Sequence, residues 1–237
     1  MRNPKRERPV SNNNVNKDLI SIIIPTCNRY DVCLKNVENI QKQNYTKREI
    51  IVCDDSEKKY FEKKSKSFQE QLLKLKTKYI YCARFDADGK KDYGLARARN
   101  FGVIESQGEF LIFLDDRITP NGENSLLQLV KPLRESKNKL WVFGDKGAQK
   151  SSFVENFSAV RRNNLVTAGM FCERIDQYGG MTRELHTRFK NQGFAFKYIP
   201  EAKAKEVCRS DGWEDKPKQI SAMNLLLDKL LQRKWLY

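Results

Sequence analysis

Imidazole is almost missing from this sequence: His186 is the only histidine in 237 residues. Any site built on two histidines is excluded. The six cysteines (Cys27, Cys33, Cys53, Cys82, Cys172, Cys208) form no CxxC pair and keep no regular spacing. Most sit in apolar stretches, so they read as reduced core residues. No apolar run approaches the roughly 20 residues of a membrane span, and no apolar segment follows the basic start Met1–Arg8 as a signal peptide requires. The expected location is the cytosol. Internal repeats are absent as well. Acids are scarce beside bases, 30 Asp and Glu against 45 Lys and Arg, for a formal charge of +15. Such a balance favours a polyanionic neighbour, whether nucleic acid, an anionic membrane face or a phosphorylated substrate. Hydrophobic residues at 39% and aromatics at 11% exclude a wholly disordered chain. A chain of this length buries enough surface to fold without disulfides.

What is present is an alternation of apolar runs and helical periods. Residues 1–18 are polar and basic and read as a mobile tail. Ile20-Ser-Ile-Ile-Ile-Pro25 then has the β-branched density of a buried parallel strand. Cys33, Val37 and Ile40 mark one helix face, and Glu49–Cys53 a second strand. Residues 57–78 carry eight lysines against three glutamates, with Phe68, Leu72 and Leu75 at helical spacing. A lysine-coated surface helix is expected there. Strands are expected at Tyr79–Phe85, Glu109–Leu114, Leu140–Gly144 and Ala195–Ile199. Helices are expected over Leu95–Glu105, Leu126–Glu135 and Arg183–Asn191, with 145–182 irregular. Ile220, Met223, Leu227, Leu230 and Leu231 form the apolar side of a helix within 217–237. The class is α/β, a mostly parallel twisted sheet flanked by helices.

Three strands end in polar clusters: Pro25-Thr-Cys-Asn-Arg29, Asp54-Asp-Ser56 and Asp115-Asp-Arg117. Ligands of open α/β sheets bind outside the carboxyl ends of strands, so the three clusters are expected to share one crevice. Asp86-Ala-Asp88 has the letters of a metal motif but reads as a solvated loop. As a calcium loop it fails, because its twelfth position is Arg97.

Ile22–Arg29, Ile50–Ser56, Gly94-Leu-Ala-Arg-Ala-Arg-Asn-Phe-Gly102 and Phe113–Asp116, in this order, resemble glycosyltransferase family 2. The likeness covers residues 19–120 well. It continues more loosely through Tyr178-Gly-Gly-Met181, Glu184–Arg188, Gly193 and Pro200-Glu-Ala202. It implies a GT-A fold over 19–216, with a nucleotide-sugar half (19–120) and an acceptor half (121–216). It implies transfer, with inversion, from a nucleotide-diphosphate sugar to a hydroxyl, with a UDP-sugar as the expected donor. Pro25, Thr26, Asn28, Arg29, Asp54 and Asp55 would then hold the nucleoside. Arg99, with Arg97 beside it, would face the diphosphate, and Asp115 would line the same site.

The resemblance also implies Mn²⁺ or Mg²⁺ on Asp115 and Asp116, with Glu206 as a further candidate ligand. Arg117 departs from the family pattern, which has a third acid there. Where relatives carry an acidic pair this chain has Met181-Thr182, so Glu184 is the nearest candidate base, with Asp176 and Glu173 next. Glu184 reads equally as a first-turn helix acid, Glu206 as a surface carboxylate, and His186 as helix surface. The acceptor stays open between a lipid-linked or surface glycan and a hydroxylated base in DNA. Lys229, Arg233, Lys234 and Trp235 suit an anionic membrane, while Arg2–Arg8, Arg161-Arg162 and 57–78 suit nucleic acid. The alternative function is a binding module that keeps the fold without the chemistry.

Overall fold

Eight strands make one curled sheet in the computed structural model, in the order β3-β2-β1-β4-β7-β6-β8-β5. The structure describes residues 16–147, 152–175, 178–208, 220–221, 223–225 and 227–228. The strands are β1 (Asn16–Thr26), β2 (Arg48–Asp54), β3 (Lys78–Tyr81), β4 (Gly108–Leu114), β5 (Ile118–Pro120), β6 (Leu140–Asp145), β7 (Phe157–Arg161) and β8 (Ala195–Glu206). The helices are α1 (Tyr30–Gln41), α2 (Lys58–Lys74), α3 (Leu95–Glu105), α4 (Ser125–Glu135), α5 (Arg162–Thr167) and α6 (Met181–Asn191). The α/β class read from the sequence is the observed one.

From β3 through β2 and β1 to β4 the pairing is parallel, while β7 runs antiparallel between β4 and β6. Alternation along the central strands decides the two cores. Ile22, Ile24, Val52 and Ile112 point to the face covered by α1, α2 and α4. Ile23, Ile51, Leu111 and Phe113 point to the face of α3, α5 and α6. Both faces are covered, so these strands carry unbroken apolar runs. The chain winds from β1 outward to β3 and then returns to β4 on the other side of β1. The carboxyl ends of β1 and β4 thus flank the point where the winding reverses, the place at which α/β sheets bind ligands.

Several boundaries differ from the sequence reading. β1 begins at Asn16, inside the stretch read as tail, because Asn16 pairs with Gly108 of β4. β3 stops at Tyr81, four residues early. The region read as irregular holds β7 and α5. β7 is short and contains Ser158, yet that hydroxyl is buried and accepts from Trp141 Nε1 at 2.9 Å. Pairing on both sides, not its own pattern, makes it a strand. β5 was likewise not expected; its three residues pair with the end of β8 after β8 has left β6.

Near the end of the chain, the described residues from 220 to 228 are helical, with Met223 and Leu227 buried and Leu225 exposed. A Cβ on Gly180 would stand 2.4 Å from Met223 Cγ, so a side chain there would push this segment off α6. Lys229, Leu230, Leu231, Arg233, Lys234 and Trp235 lie outside the described residues, as does Arg2–Arg8.

Candidate active site

The three polar clusters do meet outside β1, β2 and β4. Pro25, Thr26, Arg29, Asp55, Asp115 and Asp116 line a cavity of about 230 Å³, together with Cys27, Lys91 and Arg117. Tyr93, Leu95, Asp115, Arg117 and Tyr178 also line a second, larger cavity of about 620 Å³. The two are lobes of one crevice. The smaller lobe is walled by the first half of the chain and by Tyr178. The larger is closed by Phe153, Glu155, Met181, Thr182 and His186 from the second half.

In the small lobe, Asp55 takes Lys91 at 2.8 Å and Arg97 at 3.1 Å. Burial still pushes its carboxyl above the usual range, against the pull of Lys91 and Arg97. Gly94 lets α3 start this close, since a Cβ there would lie 2.3 Å from Asp55 Oδ1. Asp54 does not reach the crevice. It is fully buried and accepts from Tyr30 and Tyr79 hydroxyls, each at 2.5 Å, and from the Ser56 N–H at 2.9 Å. Burial and this carboxylate push both tyrosines up. Asp54 therefore secures the β2 turn and does not line the crevice. Asn28 is also drawn away: with φ at 55°, its N–H donates to Ser56 Oγ and its Oδ1 accepts from Glu57 N. It ties the β1 turn to the β2 turn.

Arg97 and Arg99, expected to face the diphosphate, line neither lobe of the crevice. Arg97 is spent on Asp92, Asp55 and the Cys82 carbonyl. Arg99 is fully buried behind the crevice wall, bonded to Asp115 at 2.9 Å and Glu155 at 3.4 Å, over the Phe171 ring.

The implied metal ligands do not form a ligand set. Asp116 is fully buried and accepts from Thr26 Oγ1 at 2.8 Å and from Arg29 Nε and Nη2 at 3.0 Å each. Burial raises its pKa despite Arg29. For Asp115, burial is outweighed by Arg99 and by the Asn156 amide at 3.1 Å, and its pKa falls below the usual range. Glu206 pairs with Arg117. Lys146, its pKa lowered by burial, lies in the field of Asp115, Glu155 and Glu206. Among the described residues no three His, Cys, Asp or Glu side chains converge as metal ligands. Acids matched one for one by guanidinium groups offer little net attraction to a divalent ion, so these residues as placed do not fit one.

Glu184 leaves the site as well. It faces inward from α6, fully buried, and holds Arg188 Nε at 2.6 Å. Arg188 in turn caps the Ala168 and Met170 carbonyls, each at 2.7 Å. A carboxylate locked in that knot cannot meet an acceptor hydroxyl. Glu173 takes the Asn100 amide at 3.0 Å instead, and Asp176 is outside the described residues. His186, read as helix surface, does line the large lobe, beside Phe153 and Phe196. Burial and Lys190 lower its pKa. The residue missed altogether is Glu155, which sits in a stretch with no periodicity to flag it.

The model of the family described as Glycosyl transferase family 2 matches residues 21–195. The Escherichia coli protein named UDP-Glc:alpha-D-GlcNAc-diphosphoundecaprenol beta-1,3-glucosyltransferase WfaP is 33% identical over 100 residues, 41% of this chain and 35% of that protein. A Campylobacter jejuni GalNAc(5)-diNAcBac-PP-undecaprenol beta-1,3-glucosyltransferase is 32% identical over 97 residues, 41% of this chain and 29% of its own. An uncharacterized glycosyltransferase of Rickettsia bellii is 31% identical over 117 residues, 47% of this chain and 15% of its own. The matches thus span a minor part of these relatives. Among solved structures, the Pyrobaculum calidifontis mannosyltransferase PcManGT, in complex with GDP-Man and Mn²⁺, superposes with a TM-score of 0.65 at 17% identity. It covers 87% of this chain and 64% of that one. GalNAc-T7 with UDP, GalNAc and Mn²⁺ gives 0.64 at 18% identity, over 83% and 44%. The fold is that of the GT-A glycosyltransferases, and with the family match running from β1 into β8, the chain belongs to glycosyltransferase family 2.

Proposed function

We propose that the chain transfers a sugar from a nucleoside-diphosphate donor, a UDP-sugar, to a hydroxyl of a lipid-linked glycan, with inversion. The observation that carries this reading is the two-lobed crevice joined at Asp115 and Arg117. A transferase needs a donor chamber and an acceptor chamber that share the wall where the bond is exchanged. Thr26, Arg29, Asp55 and Lys91 at the small lobe supply the donors and acceptors that a base, a ribose and a diphosphate require. Two relatives carry names that refer to undecaprenol-diphosphate glycans, which supports the lipid-linked acceptor over DNA. The +15 charge suits the anionic surface on which such lipids lie. No helix among the described residues is long and apolar enough to cross a membrane.

The diphosphate charge calls for cations. Arg117 and Lys91, paired with Glu206 and Asp55, line the small lobe and are the cations this reading assigns to that charge. Because the acids around them are already matched, the reading does not rest on Mn²⁺ or Mg²⁺.

The test is thermal. UDP should raise the melting temperature more than ADP or GDP does. Equal shifts, or none, would remove the UDP-sugar assignment. Arg117→Ala should reduce the UDP shift. Nucleotide binding without turnover of any nucleotide sugar would favour the binding-module alternative.

A further inference from the structure

We propose that Glu155 takes the proton from the acceptor hydroxyl; this rests on the glycosyl-transfer reading above. Among the described residues, Asp115 and Glu155 are the carboxylates lining the large lobe. Asp115 also lines the donor lobe and is fastened by Arg99 and Asn156. Glu155 belongs to the acceptor lobe alone, and its side chain keeps 12% exposure where Glu184 has none.

Its placement is held from four directions. Thr182 Oγ1, at the position where the resemblance implied an acid, donates to Glu155 Oε2 at 2.5 Å. Arg99 Nη1 reaches Oε1 at 3.4 Å while its Nη2 holds Asp115 at 2.9 Å, so one guanidinium sets the spacing between the two acids. The Glu155 carbonyl accepts from Ser158 Oγ at 2.7 Å, which ties the backbone to β7 and through it to Trp141. Asn156, the next residue, accepts from Asp115 N through its carbonyl at 3.3 Å. These contacts hold the loop carboxylate in one place, which positioned proton transfer requires.

The balance is simple. The acceptor O–H gives its proton to the Glu155 carboxylate as its oxygen bonds the anomeric carbon. The bond from that carbon to the β-phosphate oxygen breaks, and the electron pair leaves with the nucleoside diphosphate.

The experiment follows nucleotide release from UDP-glucose and from GDP-mannose by the full chain, with water as acceptor, with and without azide. Glu155→Gln should keep the wild-type UDP melting shift and lose release on the order of a hundred- to ten-thousand-fold. Azide has no proton to lose, so it should restore release in Glu155→Ala. Thr182→Val, which keeps the carboxylate but frees it, should show an intermediate loss. Release at the wild-type rate in Glu155→Gln overturns the base while the donor reading stands. So does a loss that azide cannot restore, or a lost UDP shift, since either marks Glu155 as scaffold. A wild-type chain that neither binds nor releases nucleotide from either donor overturns the transfer reading and this proposal with it.

Discussion

Arg29 grips Asp116 through two hydrogen bonds of 3.0 Å each, across 87 residues of chain. The pair closes the carboxyl end of β1 onto that of β4, at the reversal point of the sheet. Arg29→Met should leave Asp116 buried with only Thr26 as partner. Loss of one member of a buried pair costs about 3–5 kcal/mol. Burial already raises the Asp116 pKa, so the native state there favours the proton more than the unfolded chain does. The deficit should therefore shrink as pH is lowered from about 8 toward about 4. Urea unfolding at several pH values reads it, and a pH-independent deficit would discard the argument.

Asp115, one residue earlier, has the opposite sign. Burial would raise its pKa, but Arg99 and Asn156 outweigh burial and hold it low. Its contribution to stability is full above the unfolded value of about 3.9 and is lost as pH falls through the depressed native value. Asp115→Asn should be less stable than wild type at neutral pH by about 1–3 kcal/mol. The two stability curves should converge in strong acid. Parallel curves down to the acid transition would show that Arg99 does not depend on this carboxylate.

Glu184→Gln should behave as a folding variant. Arg188 would lose its charged partner while still bonded to the Ala168 and Met170 carbonyls. A cost of about 3–5 kcal/mol in urea is expected, with UDP binding unchanged below the melting transition. Unaltered stability together with abolished nucleotide-sugar turnover would return Glu184 to the chemistry.

Chelation tests the charge matching of Asp115, Asp116 and Glu206 by Arg99, Arg29 and Arg117. Nucleotide release from UDP-glucose should persist in excess EDTA. Arg117→Ala should lower it more than chelation does. Complete loss in EDTA with recovery on added Mn²⁺ would show that an ion displaces these arginines.

The order of strands and helices was legible through β4 because each buried strand is a β-branched run and each helix a 3.6-residue period. Both signals are local. β7 and β5 were not legible, since Phe157–Arg161 and Ile118–Pro120 are strands only through partners that come from elsewhere in the chain. That these clusters meet at one crevice was legible for the same local reason: Pro25–Arg29, Asp55 and Asp115–Asp116 directly follow apolar runs.

Which of those polar residues face the crevice was decided by the tertiary structure. Asp54 and Asp55 are neighbours, yet alternation along the strand end sends one to Tyr30 and Tyr79 and the other to Lys91. Arg99 and Glu184 have the residue types of a phosphate contact and a base, but both lie on buried helix faces, where a charge persists only with a countercharge beside it. Periodicity determined the α/β sheet, and the motifs after its strands carried the resemblance to the family. The pairing of Arg29 with Asp116 and of Arg117 with Glu206, and the approach of Glu155 to Thr182, depend on contacts between residues 87, 89 and 27 positions apart. No local pattern encodes contacts of that separation, because the chain brings them together only when the sheet and both its helix layers have packed.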